Sequence, residues 1–142
     1  MPHICIVAAS FYKDITDELL LGAKARLDSV LATYDVIEVP GAFEIPAAVA
    51  LAIDSARYEG FVALGCVIRG ETSHYDYVCG ESARGLNNLA VTHRAAIGYG
   101  ILTVETPEQA WMRAAVTQGN KGAAAVDACL AVIKIRHQMG AL

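Results

Sequence analysis

Phe61-Val62-Ala63-Leu64-Gly65-Cys66-Val67-Ile68 runs straight into Arg69-Gly70-Glu71-Thr72-Ser73-His74-Tyr75-Asp76. The first part carries no charge and no polar alternation. A half-exposed strand would show a hydrophilic side chain at every second position; a strand covered on both faces, as in a parallel sheet between helical layers, reads as a continuous apolar run. The run is too short to span a bilayer. Beyond Arg69 the period changes. Tyr75, Val78, Ser82, Leu86 and Leu89 recur at helical spacing and predict a helix over 72–92.

Three further segments read as strands of near-continuous apolar character, Asp35 and Glu38 apart: Ile4–Ala9, Tyr34–Val39 and Ala95–Val104. Most are bounded by Gly, Pro or charged residues. Between them lie helical patterns. Ile15, Leu19, Ala23, Leu27 and Leu31 repeat every fourth residue after Asp14, a candidate N-cap. Residues 43–56 read as a second helix, with Pro46 tolerable only near its start. A short helix opening on Pro107 and a long one over about 121–139 complete the chain. The order βαβαβαβαα predicts an α/β protein, a three-layer α/β/α sandwich around a four-stranded parallel sheet of flavodoxin-like kind, in one domain over residues 1–142.

Composition excludes several classes. A net charge of −4 and no long basic run argue against a nucleic-acid surface. The start lacks the basic and apolar regions of a signal peptide, so a cytoplasmic location is expected. Cys5, Cys66, Cys79 and Cys129 form no CxxC pair and read as buried reduced thiols. The four histidines lack metal-ligand spacing, and no metal is expected. Gly65 and Gly70 have the spacing of a phosphate-binding loop, but Glu71 stands where lysine is required. A 55% hydrophobic content in 142 residues suggests surface buried against copies of the same chain.

In open α/β sheets, ligands bind beyond the carboxyl ends of the strands. That directs attention to the loops 10–13, 40–44, 69–74 and 105–106. Gly70 and Thr72 at a helix start could receive an anion, with His74 beside them to move protons; a capped helix with a surface histidine would look the same. Phe43 and Glu44 pair an aromatic with a carboxylate, or form an ordinary cap. Arg113 and Lys121, flanking Gly119-Asn120, could grip a phosphate, or are solvated charge.

Taken together, Phe11, Pro40-Gly41-Ala42-Phe43-Glu44-Ile45-Pro46, Leu64 through Asp76, Gly100-Ile101-Leu102-Thr103, Glu108-Gln109-Ala110 with Arg113, and Gly119-Asn120-Lys121-Gly122 resemble the lumazine synthase family. The resemblance implies condensation of 5-amino-6-(D-ribitylamino)uracil with 3,4-dihydroxy-2-butanone 4-phosphate to 6,7-dimethyl-8-ribityllumazine, the penultimate step of riboflavin biosynthesis, without a cofactor. It also implies roles. Phe11 would stack on the pyrimidine. Ala42, Phe43 and Glu44 would hold the ribityl chain, and Cys66, Val67 and Ile68 would offer backbone groups to the pyrimidine edge. Glu71, Thr72 and Arg113 would bind the sugar phosphate. His74 would transfer protons, Tyr99 would close the site, and Lys121 would add positive charge.

In the family the site lies between neighbours of a pentamer. One subunit would bring Phe11, Phe43, Glu44 and His74, the next Tyr99, Arg113 and Lys121. Tyr12 departs from the Asn that many members carry, removing a polar contact. Many members also have a leader that adds a strand to a neighbour's sheet, whereas here the first strand begins almost at Met1; a pentamer is therefore expected rather than a shell of pentamers. Riboflavin synthase is a further partner such an enzyme could take. A non-catalytic flavin- or lumazine-binding paralogue would share the fold but lack His74, Arg113 or Lys121. A flavodoxin-like electron carrier would want a hydroxyl-rich loop where Ser10-Phe11-Tyr12-Lys13 stands.

Overall fold

The computed structural model describes residues 2–140. Four strands form one parallel sheet in the order β2-β1-β3-β4: β1 (His3–Ala9), β2 (Thr33–Val39), β3 (Gly60–Ile68) and β4 (Ile97–Val104). Register is continuous, from Ile4 opposite Gly60 to Ile68 opposite Val104. The helices are α1 (Lys13–Ser29), α2 (Ile45–Asp54), α3 (His74–His93), α4 (Pro107–Ala114) and α5 (Lys121–Gln138). The expected three-layer α/β/α arrangement is the one observed.

Two cores explain the apolar runs. In β1, Ile4, Ile6 and Ala8 pack with Leu19 and Leu27 of α1 and Val126 and Cys129 of α5. Cys5, Val7 and Ala9 point the other way, to Ile45 and Val49 of α2 and Val78 and Leu86 of α3. Period-two geometry thus sends alternate residues into different cores, and every position must be apolar. β2 departs from the expectation. It is an edge strand with Thr33, Val36 and Glu38 exposed, which lets it carry charge.

Element boundaries differ locally. Asp14 lies in the first turn of α1, with Tyr12 at the N-cap position, and Leu31 falls beyond the helix at φ 60° and is exposed. Ala42–Glu44 form a separate 3-10 turn before α2, and Pro46 sits at the start of α2, where its missing N–H costs nothing. The helix expected from Thr72 begins at His74, leaving Thr72 in the loop. Ala95 and Ala96 precede β4, following Arg94 at φ 53°.

The order places the topological switch point between β1 and β3. The chain leaves β1 for β2 on one side and returns to β3 on the other, so the connections diverge and open a crevice at the carboxyl ends. At β4, Gly98 faces α5, where a Cβ would overlap the carbonyl of Ala125. This close approach sets α5, and with it Lys121, against the edge strand. Among the described residues no helix is long and apolar enough to cross a membrane, and no group of three or more His, Cys, Asp or Glu is placed to hold a metal.

Gly98→Ala is expected to destabilise the fold by about 1–3 kcal/mol through this overlap, read as a lower midpoint in urea unfolding. An unchanged midpoint would mean α5 is free to retreat.

Candidate active site

The crevice at the switch point is a cleft of about 650 Å³. Phe11, from the loop after β1, and Phe43, from the 3-10 turn after β2, are exposed (72% and 54%) although large and apolar. Their rings line a cleft whose floor is Cys66, Val67 and Ile68 at the end of β3. Ala42 is buried at its base. The far wall is the start of α3, with Gly70, Thr72 and His74. Flat aromatic surface held open to solvent suits a planar ring, for which offset stacking adds to the burial of area.

Local hydrogen bonds shape the walls. The Gly41 N–H donates to Glu44 Oε1 at 3.0 Å, and the Glu44 N–H to Gly41 O at 3.1 Å. The Glu44 carboxylate therefore works as a cap while its second oxygen remains available. The His74 N–H reaches Thr72 Oγ1 at 3.3 Å, and Ser73 makes no side-chain cap. The first N–H groups of a helix have no carbonyl partner within it; here the Asp76 N–H is taken by Ser73 O at 3.0 Å, beside the His74 contact to Thr72. Phe11 and Tyr12 meet edge to face, centroids 5.0 Å apart at 78°. Tyr12 thus braces the Phe11 ring.

Cys66 is a neutral, inert group. Burial pushes its thiol up to about 12, with Cys79 nearby adding to the shift. All four cysteines are free thiols, Cys5, Cys66 and Cys129 buried and Cys79 half-buried.

Arg113 and Lys121 come together elsewhere. They line a smaller basin of about 320 Å³ with Tyr99, Gly100, Leu102 and Thr103 along the outer side of β4. The turn between α4 and α5 folds back tightly. The Gly119 N–H donates to Met112 O at 2.9 Å, and a Cβ on Gly119 would press on the Arg113 backbone. Only glycine lets residues 115–120 return so close, which brings the first residue of α5 beside the last turn of α4. Arg113 Nη1 donates to Gln109 O at 3.0 Å, leaving other donors of its fork outward. The Tyr99 phenol lies 3.3 Å from Ser82 Oγ, and Ser82 donates to Cys79 O, so Tyr99 is the donor of that pair. Burial raises the Tyr99 phenol above its ordinary range and keeps it protonated.

The structure therefore divides the sequence-derived residues into two sets. Phe11, Ala42, Phe43, Glu44, Cys66, Val67, Ile68, Thr72 and His74 share the cleft; Tyr99, Arg113 and Lys121 share the basin; the two surfaces have no lining residue in common. Glu71 is exposed in its loop and lines neither, its neighbours Gly70 and Thr72 taking the cleft side. Tyr12 and Pro40 lie in loops that the sequence marks as places to look, though without a role there, while Tyr75 and Tyr77 are cleft residues that sequence reasoning misses. The spacing of Tyr77 from His74, three residues along one helix, was the available signal.

A doubly wound α/β protein with an aromatic-lined cleft at its switch point defines the class: a fold whose crevice presents a concave, aromatic surface able to take a small molecule. The chain belongs to the 6,7-dimethyl-8-ribityllumazine synthase family, whose profile it matches over residues 1–137. It is 56% identical to 6,7-dimethyl-8-ribityllumazine synthase 1 of Rhizobium meliloti (strain 1021), over 98% of this chain and 94% of that protein. It is 54% identical to the 6,7-dimethyl-8-ribityllumazine synthase of Agrobacterium fabrum, over 98% and 97% of the two chains, and 51% identical to that of Azorhizobium caulinodans, over 96% and 87%.

Because burial holds the Cys66 thiol in its protonated, weakly nucleophilic form, Cys66→Ala is expected to keep turnover of the same order. Loss of turnover in a folded variant would assign the thiol a chemical role.

Proposed function

We infer that this chain is a transferase of riboflavin biosynthesis, condensing 5-amino-6-(D-ribitylamino)uracil with 3,4-dihydroxy-2-butanone 4-phosphate to 6,7-dimethyl-8-ribityllumazine. Family membership over nearly the whole chain supports it. The observation that carries the reading into the site is the meeting of Phe11 and Phe43 with Thr72 and His74 in one cleft at the switch point.

The proposed roles rest on what each group can do. Phe11 stacks on the pyrimidine, an interaction of about 1 kcal/mol beyond burial. Backbone groups of 66–68 meet the edge of the ring. The free oxygen of Glu44 accepts from ribityl hydroxyls. The 5-amino nitrogen attacks the ketone carbon, and water leaves as the imine forms. A proton then leaves the adjacent carbon as the phosphate departs with the electrons of its C–O bond. The resulting enol tautomerises to a methyl ketone, and the ribityl-bearing nitrogen adds to that carbonyl and closes the ring with loss of a second water. These steps require a proton to leave nitrogen and protons to reach departing oxygens. His74, at the cleft wall, is the group proposed to move them.

Phosphate departure needs positive charge, and within one chain Arg113 and Lys121 line a different surface from the cleft. We propose that the basin of one subunit closes the cleft of the next, in a pentamer, bringing Tyr99, Arg113 and Lys121 over the substrates. The arrangement is supported by two partial sites on one chain and by Met112, Trp111 and Val91 exposed on its surface. Glu71 is proposed to assist at the phosphate from its exposed loop. The cytoplasm is the proposed location, and riboflavin synthase, which consumes the lumazine, the proposed partner.

Lumazine fluorescence after mixing protein with both substrates tests the activity. A rate proportional to protein is expected; tight product binding with no rate above the uncatalysed background would make the chain a binding paralogue. His74→Ala should lower turnover by roughly a hundred- to ten-thousand-fold, and unchanged turnover would remove His74 from proton transfer. Arg113→Ala should weaken the sugar phosphate by about 1.5–3 kcal/mol, roughly ten- to a hundred-fold, with the uracil much less affected. Equal weakening of both would make Arg113 structural.

A further inference from the structure

Arg69 lies immediately after β3, outside the cleft lining, and four contacts converge on it. Its N–H donates to Val104 O at 2.9 Å, continuing the pairing of β3 with β4 by one residue. Its Nε donates to both carboxylate oxygens of Glu105, at 2.9 and 3.2 Å. Its guanidinium carbon stands 4.3 Å from the centroid of the Tyr75 ring, and Nη1 is 3.6 Å from Asp76 Oδ1. Tyr75 and Asp76 follow His74 in the first turn of α3. One side chain thus straps that turn to the end of β4, across the loop that holds Thr72.

The strap continues beyond Glu105. The Glu105 N–H donates to Gln109 Oε1 at 2.7 Å, and the Gln109 carbonyl accepts from Arg113 Nη1 at 3.0 Å. Bonds therefore run from the α3 start, through Arg69, Glu105 and Gln109, to the arginine of the basin. The Arg69 side chain is 42% exposed and that of Glu105 56%. Ion pairs so open to solvent contribute little to folding. A planar guanidinium can hydrogen-bond at its edge while stacking on its face, which an ammonium cannot do in one geometry. Position, rather than stability, is what this arrangement delivers.

We propose that Arg69 is a positioning residue for the reaction: it fixes the first turn of α3, and so the placement of Thr72 and His74, relative to the strand end from which Arg113 is hung. This rests on the roles inferred above for His74 and Arg113.

The test uses the full-length protein carrying Arg69→Met. Hydrogen exchange followed by mass spectrometry is expected to show the segment 70–77 opening about tenfold faster, with α5 unchanged. Lumazine formation should fall roughly ten- to a hundred-fold, the cost of a small misplacement of reacting groups. Placed in a His74→Ala background, Arg69→Met should add clearly less than its effect in the wild-type protein, because the proton-transferring group it positions is gone and only the placement of Thr72 is left to lose. Glu105→Gln, which keeps the packing but removes the charge, should move exchange and turnover the same way by less, and stands in if Arg69→Met does not fold. Unchanged exchange, unchanged turnover, or a full multiplicative loss in the His74→Ala background overturns the proposal. If the wild-type protein forms no lumazine, the functional reading fails, and the exchange result by itself decides whether Arg69 holds the turn.

Discussion

Burial of β1 and β3 on both faces is the constraint on which the rest of the molecule depends. Two strands whose alternate residues enter separate cores must sit at the centre of a sheet with helices on either side. With β2 and β4 at the edges, the chain must reverse its direction of travel between β1 and β3. The crevice that carries the cleft is the geometric consequence. Polar and aromatic residues can be placed there because the walls need not pack against anything of their own.

The edge strand β4 has the opposite task. Its glycines bring α5 close, its Tyr99 turns to α3, and its end delivers the chain to α4 and Arg113. The basin is therefore built on an edge and shares no lining residue with the cleft. If the cleft at the switch point and the basin at the edge are two parts of one site, as proposed, a closed ring lets each edge meet a neighbouring switch point. The Arg69–Glu105–Gln109 strap joins the two halves within one subunit.

The fold was legible because it rests on period. Continuous apolar runs and fourfold helical spacing survive without knowledge of neighbours, so all four strands and five helices stood within a few residues of their observed ends. β2 was misjudged because edge exposure is set by strand order, which the run Thr33–Val39 does not encode. Phe43 and Glu44 of the turn Ala42–Glu44 read as the start of α2 because a 3-10 turn and a helix start favour the same residues. In the site, Phe11, Phe43 and His74 stood out as large or titratable groups in loops. Tyr12, Tyr75 and Arg69 did not, since their roles come from contacts across the loop and the sheet. The separation of cleft from basin could be known from sequence only through family resemblance, because spacing along a chain does not say which side of a strand a residue faces.

The composite site is tested most directly by mixing. His74→Ala and Arg113→Ala proteins, each impaired in a different half, are unfolded together, refolded and assayed for lumazine formation. If neighbouring subunits complete each other's sites, random assembly gives about one site in four with both wild-type halves, and activity returns toward that fraction of wild type. If each subunit held its own complete site, no site in the mixture would be intact, and activity would stay at the level of the single variants, contradicting the shared-site account.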